Sequence, residues 1–131
     1  MRKKIVFIIP PVIEKIWTFS RDDIYLGAAY VAAQLLRDAH DVSVIDCAVD
    51  CRSLGELKRR LSLIQPDIAA VPVIYGTMLN AYRIAAAVKE TVTARVVFGG
   101  LPAAFSAESI FSECPEADVC VLNEGEISMR A

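Results

Sequence analysis

Five short apolar runs crowded with valine and isoleucine, separated by stretches of helical spacing, constrain this chain more than any other feature. The runs are KIVFII (4–9), DVSVID (41–46), DIAAVPVI (67–74), RVVFGG (95–100) and DVCVLN (118–123). Their apolar residues are nearly continuous rather than alternating, which is the pattern of strands covered on both faces. Strand and helix alternate throughout, so the predicted fold is α/β: a doubly wound, flavodoxin- or Rossmann-like, five-stranded parallel sheet with helices on both faces. At 131 residues the chain is expected to form one domain, 1–131, with a core of useful size.

The intervening segments support this reading. GAAYVAAQLLRDA (27–39) predicts a helix with Tyr30, Ala33 and Leu36 on its apolar face. SLGELKRRLSLI (53–64) opens with Ser53 and Glu56 in capping-box spacing and carries Leu54, Leu57, Leu61 and Ile64 on one stripe. TMLNAYRIAAAVKE (77–90) predicts a helix capped by Thr77, and SAESIFSE (106–113) a shorter one. The chain stops at ISMRA before a helix could cover the fifth strand, so a partner or a downstream segment is expected there.

The net charge of −2 gives no electrostatic case for nucleic acid or an anionic membrane. IVFIIPPVI (5–13) is far shorter than the ~20 residues of a membrane span. It also contains two prolines and lacks a signal-peptide cleavage site. The expected location is cytoplasmic.

Several chemistries are excluded by missing residues. Cys47 and Cys51 have the C-x3-C spacing that begins a radical-SAM iron–sulfur motif, but Leu54 stands where the third cysteine belongs. Three thiolates are needed to hold that cluster with one iron open, so the cysteines, Cys114 and Cys120 included, are expected to be free thiols, and no metal site is predicted. The loop after the first run, PPVIEKIWTFS, is not the glycine- or hydroxyl-rich sequence that cradles phosphate. His40 is the only histidine and lies before the second strand, at the edge opposite the glycines described next, so no Ser-His-acid arrangement can form. No catalytic residue is assigned.

In open parallel sheets, ligands bind outside the carboxyl ends of the strands. The ends of the third, fourth and fifth strands read IYGT, GGLPAAF and NEGE. Gly76, Gly99, Gly100 and Gly125 therefore gather at one edge, a backbone platform open to a flat or bulky ligand.

Five pieces, in order and register over nearly the whole chain, carry a resemblance: YLGAAYVAAQLL, HDVSVIDC, QPDIAAVPV, VVFGGLPAAF and DVCVLNEGE. Together they resemble the amino-terminal cobalamin-binding domain of B12-dependent radical-SAM enzymes. The resemblance implies cobalamin over the carboxyl edge, its corrin facing a radical-SAM barrel supplied in cis or in trans and its nucleotide tail running beside the sheet. It also implies an iron–sulfur cluster and S-adenosylmethionine only in that separate catalytic domain, and methyl transfer as the parent reaction. The implied cofactor contacts are Thr77, Gly76, Gly99, Gly100, Pro102, Glu124 and Gly125, with Tyr75 and Met78 as apolar walls and Trp17 and Phe19 as caps on the corrin.

This sequence departs from the family pattern in places. The first loop has no cobalt-ligating histidine, so a histidine-free lower face is implied. Pro72 replaces a serine, Asn123 a glycine, and Pro102-Ala103 the histidine step after Gly-Gly. The alternative is a degenerate scaffold that binds no cofactor and docks its alanine-rich helices (Ala28, Ala29, Ala32, Ala33; Ala85, Ala86, Ala87) on another domain or a second copy.

Overall fold

A computed structural model describes residues 1–11, 26–51, 53–122 and 129. Five strands, β1 (Lys4–Ile9), β2 (Asp41–Asp46), β3 (Ile68–Pro72), β4 (Arg95–Gly99) and β5 (Val119–Cys120), form one parallel sheet. Their order is β2-β1-β3-β4-β5, the flavodoxin-like arrangement with a switch point between β1 and β3. The helices are α1 (Leu26–Arg37), α2 (Leu54–Ile64), α3 (Met78–Thr91), α4 (Leu101–Phe105) and α5 (Ala107–Glu113). The predicted strands and four predicted helices are present, with β5 much shorter than its apolar run.

Alternation along each strand sends side chains to opposite faces. On one face Val6, Ile8, Val71, Val96 and Phe98 meet Leu57 and Leu61 of α2 and Ile84, Ala85 and Val88 of α3 in the main core cluster. The other face has a smaller cluster, Ile5, Phe7 and Ala70 with Ala32 and Leu35 of α1, against which Met129 also packs. The expected apolar face of α1 was the wrong one: Tyr30, Ala33 and Leu36 are exposed, and Ala32 and Leu35 are buried. That helix is apolar almost all round, so periodicity offers two stripes, and α1 lies on the sheet by the stripe of Ala32 and Leu35.

Local chemistry fixes the ends of the elements. The Ser53 hydroxyl accepts a hydrogen bond from the Glu56 N–H at 3.2 Å, capping α2. Gln65 closes the same helix with a left-handed φ of 50°, and Pro66 prevents its continuation. His40 accepts the Lys3 N–H through Nδ1 at 3.0 Å, tying together the starts of β1 and β2. It is a structural residue at the amino edge of the sheet.

Candidate functional site at the carboxyl edge

Two places at the carboxyl edge are shaped by identifiable residues. The first is the end of β4. Val97 and Gly99 share a face with Ala70 and Pro72, with Val97 opposite Ala70 and Gly99 opposite Pro72. This is the α1 side, since Ala70 belongs to the α1 cluster. A Cβ built on Gly99 would meet nothing within 4 Å, and the same holds for Gly76. The backbone at both positions is therefore open.

Gly100 is different. Its φ is +109°, and a Cβ there would lie 2.3 Å from the Val73 carbonyl oxygen. The Val73 N–H also donates to the Gly99 carbonyl at 2.8 Å. The second glycine is required by the turn into α4 and by close packing on β3. Of the pair, only Gly99 has open space where a side chain would stand.

The other candidate residues divide in the same way. Tyr75 is exposed beside open Gly76, on a 3-10 turn, Tyr75–Thr77. Thr77 is fully buried. Its hydroxyl accepts the Ile74 N–H and donates to the Ile74 carbonyl, both at 3.1 Å. It therefore braces the turn and does not cap α3 as expected. Pro102 is buried in α4, and Met78 packs partly buried on the main core. Glu124, Gly125, Trp17 and Phe19 lie outside the described residues.

Apart from Tyr75, expected as an apolar wall, the sequence reading missed the apolar rim around these positions. Ile74 and Tyr75 after β3, Leu101 and Phe105 on α4, and Leu122 after β5 are all about half exposed or more. The available signal was apolar residues lying beyond the ends of the strands rather than within them.

The second place is the switch point. The Val73 N–H points to β4, so by alternation the nitrogen of Pro72 faces β1, where a proline has no hydrogen to give. The pairing of β1 with β3 ends at Phe7 and Ala70, two residues before the end of β3. Asn80 on α3 donates through Nδ2 to the Pro11 carbonyl at 2.8 Å, holding the chain beyond β1. Beside it lies a cleft of about 150 Å³ whose lining includes Pro11, Cys47, Cys51, Asn80 and Arg83. Cys47 and Leu57 place it on the α2–α3 face, away from Gly99. It is also smaller than the roughly 300–1,000 Å³ of ordinary ligand pockets, so the corrin expectation has to rest on the open rim.

All four cysteines are free. Burial, then the neighbouring Cys51, pushes the Cys47 thiol up to about 12. Burial also raises Cys114, to about 11, and Cys120. Among the described residues no group of three metal-ligating side chains gathers. No helix among them is long and apolar enough to cross a membrane.

Comparison with known proteins decides the family. A family model described as the B12 binding domain matches residues 18–131. The chain belongs to the B12-binding domain family.

Two longer curated proteins are similar to this B12-binding domain. An uncharacterized methyltransferase of Pyrococcus horikoshii is 31% identical over 106 residues, covering 80% of this chain and 23% of that protein. The anaerobic magnesium-protoporphyrin IX monomethyl ester cyclase of Cereibacter sphaeroides is 33% identical over 100 residues, covering 75% of this chain and 16% of the cyclase. The chain thus spans less than a quarter of the curated relatives it matches.

Solved structures agree on the fold. The cobalamin-dependent S-adenosylmethionine radical enzyme OxsB, with aqua-cobalamin and S-adenosylmethionine bound, superposes with a TM-score of 0.82 at 22% identity. That match covers 98% of this chain and 18% of OxsB. The radical S-adenosylmethionine methyltransferase TsrM of Kitasatospora setae, with cobalamin and a [4Fe-4S] cluster bound, gives a TM-score of 0.72 at 12% identity. It covers 88% of this chain and 21% of TsrM.

Proposed function

We propose that this B12-binding domain is the cobalamin-holding module of a B12-dependent radical-SAM enzyme of the methyltransferase type. On this reading 1–131 is a single cofactor domain, and the iron–sulfur cluster and S-adenosylmethionine belong to a catalytic domain in cis or in trans. The observation that carries the proposal is the bare backbone at Gly99 within the strip Ala70, Pro72, Val97 and Gly99. A flat macrocycle with an appended nucleotide needs room to approach the backbone, and Gly99 offers it at the open end of a strip whose Ala70 and Val97 are buried. Gly76 and the half-exposed Ile74, Tyr75 and Leu101 extend it along the rim.

When bound, cobalamin supplies cobalt-centred group-transfer chemistry. This chain's share is to orient and shield. Ile74, Tyr75 and Leu101 would lie under apolar parts of the ring and exclude water, while the open peptides at Gly76 and Gly99 would face its amide groups. The sequence holds His40 as its single histidine, at the opposite edge, so the lower face of cobalt receives no histidine from this chain. On this reading this chain would hold the cofactor through its rim and not through a histidine bond to the metal.

Titration of the purified protein with hydroxocobalamin tests the proposal. The visible spectrum should shift, and colour should travel with the protein through gel filtration. A spectrally silent mixture at tens of micromolar, equivalent to about −6 kcal/mol, would overturn it. That outcome would favour a scaffold docking through the exposed α1 residues Tyr30 and Leu36.

A further inference from the structure

The cleft at the switch point brings two thiols together. Cys47 follows β2, and its N–H donates to the Ile9 carbonyl at 3.0 Å, which anchors the turn to the end of β1. The Asp50 N–H returns to the Asp46 carbonyl at 2.7 Å, so residues 47 and 51 lie one helical turn apart on the same side. Cys51 packs against the core cluster that contains Cys47. Both line the cleft, together with Asn80 and the exposed Arg83. They differ in access, since Cys47 is buried in the main core and Cys51 is half-buried at its margin.

We infer that Cys47 and Cys51 form an oxidisable dithiol, a modification site at which a small disulfide oxidant reaching the cleft closes an intramolecular disulfide. Cys51 is the entry point because it is the more accessible thiol. Its surroundings are of mixed charge: Arg60 opposes the effect of burial on it while Asp50 and Glu56 add to it, and Arg83 lies on the cleft wall. The Cys51 thiolate attacks one sulfur of the oxidant, breaks its S–S bond and expels the first thiolate, which takes up a proton. The Cys47 sulfur then loses its proton to solvent and attacks the Cys51 sulfur of the mixed disulfide, expelling the second thiolate. One S–S bond has formed in the protein, two electrons have passed to the oxidant, and the oxidant leaves as two thiols.

The raised position of both thiols makes the reaction slow at neutral pH and faster as pH rises, because the thiolate is the nucleophile. The inference does not depend on cobalamin. It is also distinct from the iron–sulfur reading of C-x3-C, which fails for want of a third cysteine.

Incubation of the folded protein with oxidised glutathione, followed by alkylation and tryptic mass spectrometry, tests the inference. The fragment from Asp38 to Arg52 contains Cys47 and Cys51 and no other cysteine. It should become alkylation-resistant and lighter by two hydrogens, and the protection should disappear with a thiol reductant. The rate should rise about tenfold per pH unit through the neutral range, as the thiolate fraction does. C47S should instead accumulate a persistent glutathione adduct on Cys51. C51S should leave Cys47 reduced, with circular dichroism verifying that each variant is folded. A stable Cys51 adduct in the unsubstituted protein would overturn the inference, as would oxidation confined to Cys114 or Cys120, or no reaction in the folded protein.

Discussion

Replacing each of the adjacent glycines by alanine separates the two reasons for having no side chain. At Gly100 the new methyl group would sit 2.3 Å from the Val73 carbonyl oxygen, on a backbone with φ of +109°. The conformation alone costs about 1–3 kcal/mol for a non-glycine residue. Forcing a methyl into filled space costs a further 1–3 kcal/mol or so. Partial relaxation of either strain relieves the other, so Gly100→Ala should lose about 2–5 kcal/mol. With a urea slope of about 2 kcal/mol per molar, typical of small domains, the midpoint should fall by roughly 1–2.5 M.

Gly99→Ala meets nothing within 4 Å and sits at a strand end, so its midpoint should move by less than about 0.3 M, within the ±0.5 kcal/mol of an unstrained site. The ligand assay should show the reverse order. Gly99→Leu should bind hydroxocobalamin at least tenfold more weakly than the unsubstituted chain while unfolding at nearly the same urea concentration. Gly100→Ala with an unchanged midpoint would refute the packing argument. Gly99→Leu with unchanged binding would remove the cofactor from the α1 side of β4.

Other expectations follow from single contacts. Thr77→Val removes both hydrogen bonds to Ile74 from a buried site and should cost about 1–3 kcal/mol, read by urea denaturation. Ser53→Ala removes the α2 cap and should cost about 1 kcal/mol, with Ser53→Asp restoring most of it. For Asp118, burial pulls its carboxyl upward, but the hydrogen bonds from Lys89 and from the Val96 N–H, with the charges of Lys89 and Arg95, hold it below the ordinary 3.8. A carboxylate with a lowered folded value stabilises the protein above the unfolded value and loses that contribution as pH falls through the folded one. Asp118→Asn should therefore cost about 0.5–1 kcal/mol at neutral pH, a figure reduced for the solvent around this half-exposed pair. The difference should vanish in urea titrations well below the ordinary carboxylate value.

The sheet was legible because its signal is redundant. Each strand carries several β-branched residues, and each is bounded by a helix with its own periodicity, so an error at one residue does not alter the element. The site was legible only in part. Glycine is a single letter for two opposite circumstances: vacancy at Gly99 and crowding at Gly100, where the deciding atom, the Val73 oxygen, lies 27 positions away in the chain. Thr77 looked like a helix cap because threonine before a helix usually is one, and only the fold of the preceding turn gave its hydroxyl to Ile74. The direction of α1 was lost for another reason. A helix apolar on nearly every side has no distinct stripe, and the choice was made by what the sheet beneath could accept.

The proline at the end of β3 leaves a lasting mark on how the domain can yield. Past Ala70, the halves of the sheet to either side of the switch point are not laced together by ladder bonds. A body that wedges between them can spread the rim without breaking the pairing of Ile5–Phe7 with Ile68–Ala70 at the amino ends. Compliance is thus confined to one seam, while β3 and β4, stitched through Val73 and Gly99, stay a stiff wall beside it.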